Sequence, residues 1–256
     1  MSSLDSLRSP SAYQFSETTT LADYPFSDQH HHRRSSGKAS QVIAHPTQPS
    51  KQYEVFQPGH FQTSNFEIRQ NGHNILTTKR RDRAGGFKSP HIHIMSLDGT
   101  ILAACMLMSW SRTQQLYLGS DPDHADKSEC TLMDCEGFTG LISFTGGKYK
   151  FVFRGQELAW TRTHSKALGA SRWDDRTFKL VDQNTRQVLA VFRFNNAIFQ
   201  HGKLAEIDYY VELEHQLELM SLAAILGIQL YIVKVKRACR GGAAGAGGIL
   251  QGVGVE

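Results

Sequence analysis

Residues Leu217–Arg237, LELMSLAAILGIQLYIVKVKR, form the most apolar run in the 256-residue chain and end in a basic cluster of Lys234, Lys236 and Arg237. Such a run is either a membrane span followed by positive charge or a helix buried in a protein core. The choice decides the fold. A span needs about 20 mostly apolar residues to cross roughly 30 Å of hydrocarbon. The clean stretch here runs from Leu219 to Val233 and is interrupted by Ser221, Gly227 and Gln229. At about 1.5 Å of rise per residue it falls short of the hydrocarbon thickness. Upstream, VELEHQLEL sets Leu213, Leu217 and Met220 on one helical face and Glu212, Glu214 and Glu218 elsewhere. A helix that begins amphipathic and becomes apolar all round reads as a buried one. Acidic residues near its start, and Lys234, Lys236, Arg237 and Arg240 near its end, complement the helix dipole, while Gly241-Gly242 offers a stop. A central helix over about 211–237 is therefore expected.

The rest of the chain says what that helix is buried in. FEIRQNGHNILTT turns at Asn71-Gly72 and HIHIMSLDGTILAACML at Asp98-Gly99, dipeptides that supply the positive φ angles of tight hairpins. Further turns are read at Gly146-Gly147 in LISFTGGKYKFVF, at Gly155 in YKFVFRGQELAWTRT and around Asp182 to Thr185 in RTFKLVDQNTRQVLAVFRF. Alternating apolar residues flank each turn, which makes a meander of about twelve strands. A closed barrel of about eight strands is filled by its own side chains, and about twelve leave a wider interior. A helix about 10 Å across fits that space. The expected fold is mainly β, a closed antiparallel barrel of about twelve strands around a C-terminal buried hydrophobic helix.

Period-two alternation also assigns faces. Tyr149, Phe151 and Phe153 point inward, with Lys148, Lys150 and Arg154 outward; Leu158 and Trp160 form an inward pair, as do Phe178 and Leu180 against outward Thr177 and Lys179. Residues 1–51 are mostly Ser, Thr, Gln, His and Pro with few aliphatic side chains, and read as a disordered tail ahead of a domain at 52–240. Residues 241–256 are Gly-rich and read as a second flexible tail.

A formal charge of +4 and a pI near 8.9 suit an acidic partner but not a dedicated polycation, and no nucleic-acid partner is expected. The four cysteines are scattered, and MSSLDSLRSP lacks the apolar core of a signal peptide, so the expectation is an intracellular, cytoplasmic protein, peripheral at membranes if it meets them.

Three segments, ELAWTRT (Glu157–Thr163), FKLVDQNTRQVLAVF (Phe178–Phe192) and GKLAEIDYYVELEHQLELMSLAAILGI (Gly202–Ile228), resemble in pattern and order the fungal tubby-like proteins of unknown function. These are relatives of the tubby C-terminal, LURP-one-related and phospholipid scramblase group. The resemblance covers Tyr53 to Arg240 and implies a twelve-stranded barrel wrapped around a C-terminal hydrophobic helix. Tubby proteins bind membrane phosphoinositides through basic residues and scramblases act at bilayers, but no lipid-binding residue of either aligns with a position here. The cysteine-rich acylation segment of scramblases is absent from this sequence. The resemblance implies a non-enzymatic domain that binds anionic lipid headgroups or a membrane surface. The alternatives are a protein-interaction scaffold without a lipid ligand, and a scramblase-like membrane protein anchored by the helix.

The best ligand-site candidate is TTKRRDRAGGFK, where Lys79, Arg80, Arg81, Arg83 and Lys88 surround a flexible Gly85-Gly86 pair able to fold around phosphate groups. A solvated hairpin loop is the plainer account. His91 and His93 share a strand face at a metal-chelating spacing, but no third ligand is identifiable, and alternation with Ile92 and Ile94 already makes them the outward side of a half-buried strand. DPDHADKSEC, Asp121 to Cys130, lacks the ligand periodicity of a calcium loop and reads as a polar turn. Cys130 and Cys135 have no partner pair at zinc-site spacing. No nucleophile elbow or phosphate-binding glycine motif occurs, so no catalytic residue, metal or cofactor is expected.

Overall fold

The computed structural model describes residues 48–58, 65–81, 91–107, 113–136, 147–170, 176–195 and 202–246, with side chains of the C-terminal helix as far as Val233. Twelve strands follow one another: β1 (Lys51–Phe56), β2 (Asn65–Gln70), β3 (His73–Arg81), β4 (His91–Met95), β5 (Ile101–Leu107), β6 (Thr113–Leu118), β7 (Thr131–Glu136), β8 (Lys148–Phe153), β9 (Gln156–Arg162), β10 (Phe178–Asp182), β11 (Val188–Phe194) and β12 (Lys203–Tyr209). Each pairs antiparallel with the next, and β12 returns to β1 from Lys51↔Tyr209 to Phe56↔Lys203, closing the barrel. Closure leaves no sheet edge exposed. The helix α1 (His215–Ala246) ends the described chain.

Turn chemistry explains the local connections. Asn71 and Gly72 have φ of 52° and 78°, and Arg154 and Gly155 have 47° and 82°, the paired left-handed residues of two-residue hairpins. The turns at Asp98-Gly99 and 183–185 also stand where the sequence places them. The turn expected at Gly146-Gly147 lies, apart from Gly147, outside the described residues. β8 pairs with β7 and β9, and a Cβ on Gly147 would stand 2.6 Å from the Cys135 sulfur.

Alternation sends the large side chains inward. Trp160, Tyr149, Phe178 and Phe192 are buried, and Val152, between inward Phe151 and Phe153, is 51% exposed. Two outward positions depart from expectation. Thr177 is fully buried, and so is Ala159, because the segment 163–170 folds over the outside of β9–β11. Leu168 packs there with Val181, Val188 and Val191 in a second, external apolar cluster.

α1 fills the barrel. From His215 to Val233 it has 19 residues, about 28 Å, so by length and composition it could cross a membrane after all; 83% of that segment is buried inside the protein. Burial, and not the length argument, is what marks it as a core helix. Its ends also differ from the expected 211–237. Leu213 precedes the helix, which continues through Gly241 and Gly242 to Ala246, so the glycine pair is not the stop and 241–246 are helical. The polar tail reading of 1–51 falls outside the described residues as far as 47, and Ser50 already pairs with Tyr209.

Candidate functional site

The barrel has two unlike ends. At one end the strands are joined by the tight turns at Asn71-Gly72, Asp98-Gly99 and Arg154-Gly155, and α1 enters. The other, from which the second half of α1 leaves, is called the mouth. Chain direction brings Phe56, Asn65, Arg81, His91, Leu107, Thr113, Glu136, Lys148, Arg162, Phe178, Phe194 and Lys203 to the mouth as strand ends.

At the entry end the polar groups are matched. Glu218 is 6% exposed. Lys51 Nζ donates to both its carboxylate oxygens at 2.8 and 2.9 Å, and the Tyr53 hydroxyl donates to Oε1. Burial, with the Glu218 carboxylate beside it, pushes the Tyr53 phenol well above its ordinary range. One turn on, Ser221 Oγ donates to the Glu218 carbonyl at 2.8 Å and lies 3.1 Å from the Tyr209 hydroxyl, while Trp160 Nε1 donates to the Ser221 carbonyl at 3.2 Å. Ser221, the first interruption of the apolar run, is thus fully used. Gly227, the second, is explained by packing, since a Cβ there would stand 2.4 Å from the Cys105 sulfur.

Gln229, the third, is different. It is 7% exposed, and among the described residues neither Oε1 nor Nε2 has a hydrogen-bonding partner. It lies beside an open apolar groove of about 170 Å³ between α1 and the wall at the mouth, with both polar atoms buried away from that space. Leu226, Leu230 and Val233 line the helix side, one stripe at i, i+4 and i+7, with Val55, Phe66 and Phe192 opposite. A buried amide without a partner costs roughly 1–3 kcal/mol. Sequence reasoning noted Gln229 only as a break in the span. The available signal was its position between Leu226 and Leu230 on an otherwise apolar face.

Of the five basic candidates, the three in described residues do not share one face. β3 runs through Arg81, so Leu76, Thr78 and Arg80 share the inward face and Arg80 reaches the mouth groove, while Lys79 and Arg81 point outward. Arg81 Nη1 lies 3.1 Å from Asp121 and 3.7 Å from Asp123, so it is ion-paired and not available as the sequence implied. Arg83 and Lys88 lie outside the described residues.

His91 and His93 face outward beside Arg81 and Lys79, as alternation predicts, yet they are 0% and 3% exposed. The 119–130 segment folds back over them, with His91 Nε2 3.6 Å from Asp123 and His93 Nε2 3.8 Å from Asp121. Burial lowers the His93 pKa, with Arg81 and Lys79 adding to the shift and Asp121 opposing it. That segment is the expected polar turn. Asp123 N donates to Asp121 Oδ1 at 3.0 Å, and Asp126 caps a short 3-10 turn through Ser128 N. Among the described residues no group of three His, Cys, Asp or Glu side chains is arranged to hold a metal ion, and Cys105, Cys130 and Cys135 form no disulfide with one another.

No protein-family model matches the chain, and no curated protein matches it in sequence. A solved structure, of the Arabidopsis thaliana protein AT5G01750, is similar at 13% identity, covering 75% of this chain and 98% of that one, with a TM-score of 0.45.

Proposed function

We propose that this chain is a non-enzymatic, tubby-like domain of the cell interior that binds an anionic membrane surface with the mouth of its barrel. The observation that carries this reading is the direction and length of α1. At 32 residues it is about 48 Å long, whereas strands of five to nine residues span at most about 30 Å. Beyond Val233 it continues for about 20 Å and carries Lys234, Lys236, Arg237 and Arg240, from the same end of the barrel at which β3 ends in Lys79, Arg80 and Arg81. Two other basic side chains near the mouth are matched: Lys203 pairs with Glu54 and Glu206, and Arg193 with Asp208 at 2.6 Å. The helix extension thus adds four basic residues beside those of the loop at the end of β3.

Each basic residue close to an anionic bilayer contributes about 1 kcal/mol, screened by salt. Sedimentation with phosphatidylserine-containing and purely neutral vesicles tests the reading. Binding should require the anionic lipid, fade at high salt, and fall about a thousand-fold when Lys234, Lys236, Arg237 and Arg240 are all changed to Gln. The set Lys79, Arg80, Arg81 and Arg83 changed to Gln should cost less. Absence of binding by the parent would favour a protein-interaction scaffold, and association that survives alkaline carbonate would favour a membrane anchor.

A further inference from the structure

Period-two alternation puts His91 and His93 on the outer side of the wall, where a barrel residue ordinarily meets water. They are buried because the segment 119–130 lies over them. That segment is a strap. Its described hydrogen bonds run largely within itself: the His124 and Ala125 N–H groups donate to the Asp121 carbonyl, Asp123 N to Asp121 Oδ1, and Ser128 N to Asp126. Gly119 N ties its root to the Leu102 carbonyl at 2.8 Å. Over the histidines it is held by charge, through the pairing of Arg81 with Asp121 and Asp123.

The charges facing the two imidazoles cancel at neutral pH. β3 contributes Lys79 and Arg81, the strap contributes Asp121 and Asp123, and β5 sets the uncharged Ala104 and Met106 opposite the rings. Arg81 already engages both carboxylates, so a proton on His91 or His93 meets no unmatched anion. Two protons put like charges on rings whose centroids are 6.1 Å apart, beside a guanidinium and away from water. His93 Nε2 has no hydrogen-bonding partner among the described residues, so the neutral ring adds little to the hold on the strap.

We propose that 119–130 is a proton-released strap, closed over His91 and His93 while both are neutral and lifted from the wall when they take up protons. Opening hydrates the two imidazolium rings and frees Arg81 from its aspartates. The device is independent of the membrane reading, since it is read on the protein alone. Burial holds the His93 pKa below its ordinary 6.5, so the strap is shut above about pH 6.5 and opens as pH falls through the lower folded value.

Backbone 15N relaxation of the full chain at pH 7.5 and pH 5 reads the strap directly; the lower pH is still above the ordinary aspartate value of about 3.9. Order parameters of the strap amides should fall from about 0.85 to below about 0.6, while those of β10 and β11 stay at about 0.85. Changing His91 and His93 together to Gln should keep the strap ordered at pH 5. Arg81→Gln, at a half-exposed side chain, leaves the two aspartates unmatched and should reverse the sign: a looser strap at pH 7.5 and a tighter one at pH 5, when imidazolium stands in for guanidinium. Four results overturn the inference: a parent strap equally ordered at both pH values, acid loosening that persists in the folded histidine variant, an Arg81→Gln strap that loosens with acid as the parent does, or loss of order in β10 and β11 at the same pH. Vesicle binding tests the membrane reading separately and is untouched by any of them.

Discussion

The two halves of the buried stretch of α1, 215–223 and 224–233, meet the barrel in different ways. The first half carries Glu218 and Ser221, and every polar atom described there is answered by a residue of the wall: Lys51, Tyr53, Tyr209 or Trp160. The second half carries Gln229, which nothing described answers, beside the groove. A polar side chain in a buried helix is thus not in itself a sign of function. One whose hydrogen bonds are complete fixes the helix in the barrel, and one whose bonds are incomplete weakens it.

That contrast predicts opposite signs for substitutions at the two ends. The largest effect belongs to the entry half: Trp160→Ala removes a fully buried indole and the bond to the Ser221 carbonyl, and should cost about 3–5 kcal/mol in urea unfolding. Glu218→Ala, which strands Lys51 and the Tyr53 hydroxyl, should cost about 3 kcal/mol; a loss under about 1 kcal/mol would show that the entry network is decorative. At the midpoint, Gly227→Ala drives a methyl group against Cys105 and should cost about 1–3 kcal/mol, read as a lowered melting temperature. At the mouth the sign reverses, and Gln229→Leu should stabilise the protein by about 1 kcal/mol. A destabilised Gln229→Leu protein would break the comparison, because it would mean that the amide is already satisfied.

The smallest effect lies outside the barrel and separates its outer face from both ends. The folded His93 pKa lies below its ordinary 6.5, so the unfolded chain binds the proton more readily. The His93 contribution to stability is complete above about pH 6.5 and is lost as pH falls through the lower folded value. His93→Gln should flatten the stability profile below pH 6.5 relative to the parent, measured as urea midpoints from pH 7.5 to 5. An unchanged profile would assign any acid lability to the interior.

Much of the wall was legible because its signals are local. Asn71-Gly72 and Asp98-Gly99 set hairpins through backbone angles that few other residue pairs adopt, and Phe151, Phe153, Leu158 and Trp160 face inward because side chains two apart share a side. Gly147 carries a meaning that its place in a glycine pair does not show, a close approach to the Cys135 sulfur on the neighbouring strand. The candidate site was less legible. Alternation would have separated Arg80 from Lys79 and Arg81 had β3 been carried through Arg81, but no local signal couples Arg81 to Asp121, 40 positions away.

By itself, then, the sequence determined the strand meander, the inward faces and the apolar helix, because each follows from backbone geometry and side-chain period within a few residues. Only the tertiary structure decided which polar residues are answered. Glu218 is answered by Lys51 because β1 closes on β12 with Lys51 opposite Tyr209, and Ser221 meets Trp160 across 61 positions of chain. Hydrogen bonds require partners within about 3 Å. In a closed barrel those distances are set by the shared register of all twelve strands and the depth of α1 within them, a collective quantity that no single stretch encodes. Gln229 looks like Ser221 in the sequence and differs from it because of where that depth leaves it.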